Sequence, residues 1–204
     1  MNPFDIEHEF YYSSEPSRLS KLLDRWFLYQ KVIELHGSIY ELGVFQGIGL
    51  IQWATFNKLT DSKFPITGFD TFGKFPDGST HDDLEYVKKF VRNAGSESIS
   101  VEYLEIILEQ KGISKNVELI SGDACITIPN HLEPLRPKLI NLDFDLYFPS
   151  KIAINVFWNQ LQEGGILILD DYDESYGVRK AVKECFGKVT PLRTPYRKLA
   201  YFIK

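Results

Sequence analysis

Four aspartates, Asp143, Asp145, Asp170 and Asp171, close two apolar runs, KLINLDFD and GGILILDD. In an open α/β sheet such runs are buried parallel strands, and ligands bind in the crevice beyond their carboxyl ends, so the four carboxylates are expected to converge there. Buried carboxylates side by side repel one another unless a cation compensates them. Neither run contains His or Cys, and oxygen-only ligands suit Mg²⁺ better than Zn²⁺. A strand-ending Asp is also a common cap, so one pair alone would carry little; two pairs, each after a fully apolar strand, point to the cation. Asp143, Asp170 and Asp171 are the expected ligands, with Asp145 beside them in a supporting or basic role.

An earlier strand end, YELGVFQGIG, is punctuated by Gly43, Gly47 and Gly49. Glycines between a strand and a helix let a ligand approach backbone N–H groups closely. The spacing is neither G-x-G-x-x-G nor a phosphate loop, and structural turn glycines would look the same. Glu41, in the strand itself, is well placed for an ammonium group. Asp70 ends the next strand and could accept from both hydroxyls of a ribose, or cap the turn at Thr71. Asp123, in SGDAC, could meet an adenine amino group or cap the following helix. Taken together at successive strand ends, Glu41, the glycines, Asp70 and Asp123 favour an adenosine-bearing ligand. No G-x-S-x-G elbow is present, and no histidine stands near a serine or cysteine in a nucleophile pattern. His81, in a polar loop with Asp77, Asp82 and Asp83, is a candidate base over the site, or simply part of a solvated loop.

The elements that must position these residues alternate along the chain. After a polar opening, Ser17 to His36 reads as an amphipathic helix. Strands are expected at Ser38–Val44, Pro65–Asp70, Val117–Ser121, Leu139–Phe144 and Gly165–Asp170. Helices are expected at Ile48–Lys58, Val101–Lys111, Ala124–Leu132, Pro149–Leu161 and Glu174–Phe186, with a short one at Leu84–Asn93 inside the long connection 71–99. A hairpin, Val189–Leu192 with Lys198–Ile203, closes the chain. Alternating strands and helices call for a mostly parallel, Rossmann-like sheet of seven strands with an antiparallel C-terminal strand and helices on both faces.

The 204 residues, 44% hydrophobic and 25% charged, suit one domain, with residues 1–36 as a helical cover and 71–99 as a substrate loop. A net charge of -5 argues against a nucleic-acid partner. Cys125 and Cys185 form no metal or disulfide spacing. No apolar run reaches the length of a membrane span and the N-terminus has no signal pattern, so a cytoplasmic protein without membrane attachment is expected. The apolar side of the first helix could cover the sheet or pair with another subunit in a homo-oligomer. Phe72, Phe75, Tyr147, Phe148, Tyr172 and Tyr176 flank the site segments and could stack on sugar faces or fill the core.

The segments YELGVFQGIGLIQWA, GFDTFGKFP, LISGDACITIP, LDFDLYFPSKIAI and GGILILDDYDESYGVRKAV resemble, in order, the macrocin O-methyltransferase family, metal-dependent class I S-adenosylmethionine enzymes that methylate sugar hydroxyls. The resemblance implies that Glu41 and Gly43 face the methionine portion of S-adenosylmethionine, with Gly47 in the same turn, that Asp70 faces the ribose, and that Asp123 with Ala124 faces the adenine. It implies Mg²⁺ on Asp143, Asp170 and Asp171, and a small hydroxylated acceptor. No histidine follows His131, and Leu146 stands where catechol-type enzymes keep a lysine, so Asp145 or His81 is left as the base. Two other readings are a non-catalytic S-adenosylmethionine-binding module and a methyltransferase of a catechol-like diol; a nicotinamide-dependent oxidoreductase fails on the glycine spacing.

Overall fold

The computed structural model of the chain describes residues 2–76, 80–131 and 136–204. Asp77, the side chain of Asp82 and the expected helix end at Leu132 lie outside the described residues. The elements are α1 (Pro3–Ser13), α2 (Pro16–Lys31), β1 (Ser38–Leu42), α3 (Ile48–Leu59), β2 (Ile66–Asp70), α4 (His81–Ala94), α5 (Val101–Gln110), β3 (Val117–Ser121), α6 (Ala124–Asn130), β4 (Pro137–Leu142), α7 (Tyr147–Gln160), β5 (Ile166–Leu169), α8 (Tyr176–Phe186), β6 (Leu192–Arg193) and β7 (Ala200–Ile203). Two differences from the expected pattern matter. The polar opening is itself helical, because Asn2 and Asp5 form a reciprocal capping box ahead of Pro3. The first predicted helix starts at Pro16, with Glu15 rather than Ser17 at its N-cap.

The sheet runs β3-β2-β1-β4-β5-β7-β6. The pairs among β3, β2, β1, β4 and β5 are parallel, and β7 lies antiparallel to both β5 and β6. From β1 the chain winds outward through β2 to β3, then crosses to place β4 on the other side of β1. The crevice at that reversal is where ligands sit in such sheets.

Strands β1, β4 and β5 are buried on both faces, which explains their unbroken apolar character. Alternate residues divide between two cores. Ile39, Leu139, Ile166 and Ile168 pack with Leu28 of α2, Trp53 of α3 and Leu104 of α5. Tyr40, Leu42, Ile140, Leu142, Leu167 and Leu169 pack with Ile128 of α6, Phe157 of α7 and Val178 of α8. Glu41 falls on the first face in register with Asn141. Among the described residues no helix is long and apolar enough to cross a membrane.

Helix α2 is held at its far side by a buried carboxylate. Asp24 accepts hydrogen bonds from Thr194 Oγ1 at 2.7 Å, Tyr196 N at 3.1 Å and Arg197 N at 2.6 Å, in the turn between β6 and β7. It is fully buried. Removing it strands two backbone donors and a hydroxyl at the α2–hairpin junction. Asp24→Ala should therefore cost roughly 2–4 kcal/mol, read as a drop in thermal midpoint of roughly 5–15 °C by calorimetry.

Candidate active site

A cavity of about 1450 Å³ opens at the carboxyl ends of β1, β2, β4 and β5. Its wall includes Glu41, Gly43, Asp70, Asp123 and Ala124, and all four aspartates of the two strand-end pairs. His81 is not part of it: the residue stands exposed at the first position of α4. The candidate base from the 71–99 segment is thus directed away from the chemistry, and α4 contributes Tyr86 and Phe90 to the wall instead.

The strands end one residue before each aspartate pair, at Leu142 and Leu169. Asp143 and Asp170 still donate ladder hydrogen bonds, Asp143 N to Leu42 O at 2.7 Å and Asp170 N to Leu142 O at 3.0 Å. Beyond them the backbone turns. Asp145 adopts a left-handed conformation (φ 64°), which is uncommon for a residue with a Cβ and recurs where a function requires it. Asp143, Asp145 and Asp171 thereby bring carboxylate oxygens within 4.8 Å of one another. The sequence placed Asp170 rather than Asp145 in that trio; in the structure Asp170 instead accepts from the ammonium of Lys21.

The electrostatics follow from this crowding. Burial, then the neighbouring carboxylates, push Asp143 and Asp171 well above the usual carboxylate range. Asp145 is pushed up to about 6, first by burial, although Asp171 and the hydroxyl of Tyr86, donating to its Oδ1 at 2.6 Å, partly stabilise its charge. Burial and Asp145 together hold the Tyr86 phenol protonated far above its ordinary range. Burial would raise Asp170 as well, but Lys21 and Arg25 hold it down to about 2.

Those two cations come from α2 and were not assigned by sequence reasoning. Lys21 Nζ contacts Asp170 and lies 3.9 Å from Asp143; Arg25 Nη2 lies 3.5 Å from Asp143 and 3.8 Å from Glu41. Residues 21, 25, 28 and 32 form one helical stripe, and Leu28 and Val32 on it are fully buried. Charged residues continuing a core-facing stripe were the available signal.

On the donor side of the cavity, Glu41 is buried and fixed by Trp53 Nε1 at 2.6 Å and Asn141 Nδ2 at 3.1 Å. Burial raises its pKa, opposed by Arg25. Gly43 is required by geometry: with φ 101°, a Cβ there would come within 2.0 Å of the Asp143 carbonyl oxygen. Gly47 (φ 79°) begins α3 but packs toward Leu104 and does not line the cavity. Asp70, expected to meet a ribose, accepts from Val44 N, Phe45 N, Phe72 N and Ser98 Oγ at 2.7–2.9 Å. In this arrangement its carboxylate ties the glycine turn to β2. Asp123 caps α6 through Cys125 N at 2.8 Å while lining the cavity, so the cap and wall readings both hold. Of the flanking aromatics, Phe75 and Phe148 reach the wall, whereas Tyr147 is buried and Tyr176 is exposed.

A profile of the macrocin-O-methyltransferase (TylF) family matches residues 18–202. No curated protein sequence shows a significant match to the chain. Among solved structures, the calicheamicin methyltransferase CalS11 superposes with a TM-score of 0.83 at 24% identity, over 100% of this chain and 86% of that one. A second, apo structure of CalS11 describes it as a TDP-rhamnose 3'-O-methyltransferase. The O-methyltransferase NovP gives 0.78 at 20% identity, over 91% and 79% of the two chains. A methyltransferase of Podospora anserina, PaMTH1, solved with S-adenosylhomocysteine bound, gives 0.51 at 16% identity, over 98% and 87%. At these identities the likeness concerns the fold.

Gly49 marks the tightest packing beside Glu41, since a Cβ there would stand 1.8 Å from Glu41 Oε1 and 3.1 Å from Arg25 Nη1. Glu41 cannot yield without breaking its bonds to Trp53 and Asn141. Gly49→Ala should destabilise the fold by about 1–3 kcal/mol and remove the thermal shift that S-adenosylhomocysteine gives the wild type, both measurable in one melting series.

Proposed function

Because the chain belongs to the macrocin O-methyltransferase family, we propose that it transfers a methyl group from S-adenosylmethionine to a hydroxyl of a sugar or glycosylated small molecule, with Mg²⁺ at the aspartate cluster. The observation that carries this reading is the convergence of Asp143, Asp145 and Asp171 on one cavity with Glu41 and the glycine turn. The donor set fits a hard divalent cation: oxygen ligands only, carboxylates whose charge is unfavourable without one, and a buried Asp170 Oδ1 with no hydrogen-bond partner. Asp143, Asp170 and Asp171 would hold it, and Lys21 would yield its place on Asp170. When bound, the cation would lower the pKa of the acceptor hydroxyl and offset charge on its oxygen.

The chain's own residues then have defined tasks. Asp145, ionised at neutral pH and held by Tyr86, takes the proton of the acceptor hydroxyl. The freed oxygen forms the new C–O bond as the S–CH₃ bond breaks, and that electron pair stays on sulfur, leaving a neutral thioether. Glu41 orients the ammonium of the donor. Phe75 and Phe90, stacked with centroids 4.7 Å apart, cover the mouth with apolar surface that limits water entry. The sugar class is supported by the family and by the sugar-modifying activity in the description of CalS11.

The clustering within 4.8 Å also favours a second reading, with Asp145 as a direct ligand in place of Asp170. Calorimetric titration of Mg²⁺ separates the two. Under the first, Asp170→Asn weakens binding by roughly tenfold or more while Asp145→Asn retains it and loses about 10²- to 10⁴-fold in rate. Under the second, the binding losses are exchanged. A chelator should abolish methyl transfer to a panel of nucleotide-linked and glycosidic deoxyhexoses, and added Mg²⁺ should restore it. Failure of every sugar and diol acceptor to show metal-dependent turnover would sink the assignment in favour of a binding module.

A further inference from the structure

Arg25 has far more hydrogen-bonding capacity than the described residues use. Its guanidinium is buried, at 2% exposure, on the wall of the cavity. It carries five N–H donors, yet the one close partner is Gln52 Oε1, at 2.9 Å from Nη1. Nε has no partner. The two anions beside Nη2, Asp143 at 3.5 Å and Glu41 at 3.8 Å, stand beyond good hydrogen-bond range, and Glu41 is committed to Trp53 and Asn141. Lys21, the other cation nearby, is engaged with Asp170. The first turn of α3 lies against the same guanidinium, as the 3.1 Å approach at Gly49 shows, and its N-cap Gly47 supplies no side chain to its backbone donors. A desolvated fork of donors beside an uncapped helix N-terminus matches a carboxylate from a ligand.

We propose that Arg25, with the start of α3, binds the α-carboxylate of the methionine end of the donor, so that Arg25 and Glu41 together clamp its zwitterion. This rests on the reading that S-adenosylmethionine binds in this cavity, and it adds a residue from α2 to the donor site. The carboxylate supplies the negative partner that Arg25 lacks at bonding distance. Glu41 at the same time receives the ammonium on the side that Arg25 flanks. Discrimination between ligands with and without the carboxylate is then set by α2 and not by the glycine turn.

The test compares three ligands by calorimetry: S-adenosylhomocysteine, its decarboxylated analogue bearing an aminopropyl chain, and 5′-methylthioadenosine, which lacks the whole amino-acid end. The wild type should prefer S-adenosylhomocysteine to the decarboxylated analogue by roughly 10- to 100-fold. Arg25→Gln should erase that preference while binding the decarboxylated analogue and methylthioadenosine as the wild type does; Arg25→Lys should restore part of it. Equal wild-type affinity for the carboxylated and decarboxylated ligands would overturn the proposal while leaving the cofactor reading intact, and needs no variant to be stable. So would an Arg25→Gln protein that loses all three ligands equally. If the wild type binds none of the three, the cofactor reading falls and the proposal with it.

Discussion

Charge balance at the carboxyl edge of the sheet governs this molecule. Asp143, Asp145, Asp170, Asp171 and Glu41 are drawn into one low-dielectric crevice by five short strands whose apolar sequences leave them no other place. Repulsion among such groups is large where water is scarce. The fold meets it with two cations from α2, a helix that precedes the sheet in sequence and packs its lower half into the core through Leu28 and Val32. Asp170 shows the effect most directly: alone among the aspartates beyond β4 and β5 it is held strongly ionised, and it is the one in contact with Lys21.

The same balance explains why β1 and β4 sit side by side at the centre. Gly43 passes so close to the Asp143 carbonyl that no side chain fits between them, and Glu41 and Asn141 are bonded across the pair. Donor-side and acceptor-side groups are therefore spaced by a parallel strand pair, which is stiffer than any loop. The loops carry the adjustable parts: the left-handed turn at Asp145, the aromatic cover from α4, and the backbone donors gathered by Asp70.

Much of this was legible in the residues. Apolar runs ending in acid identified β1, β2, β4 and β5 and their common edge, because fully buried parallel strands leave an unbroken pattern. The family resemblance placed the donor side at Glu41, Gly43, Asp123 and Ala124, and these do share one wall. What sequence could not supply was direction. Whether Asp145 or Asp170 turns toward Asp143 depends on a positive φ beyond the strand end, and whether Asp70 faces a ligand or the loop depends on where two amides of the glycine turn point. His81 failed for the same reason, since a helix that starts at Thr80 carries it outward. Lys21 and Arg25 were passed over because cations on an amphipathic helix ordinarily face water, and only the stripe they share with Leu28 and Val32 says otherwise.

The bond set around Asp24 also bears on how the protein matures. The helix bearing the compensating cations is fastened to residues 194–197, nearly the last to leave the ribosome. Until then the nascent sheet carries its acidic edge with α2 unsecured, and domains of this kind complete only as whole units. Any shortening of the chain from its carboxyl end that removes this turn would release the far end of α2, leaving strands and aspartates in place but the countercharge untethered.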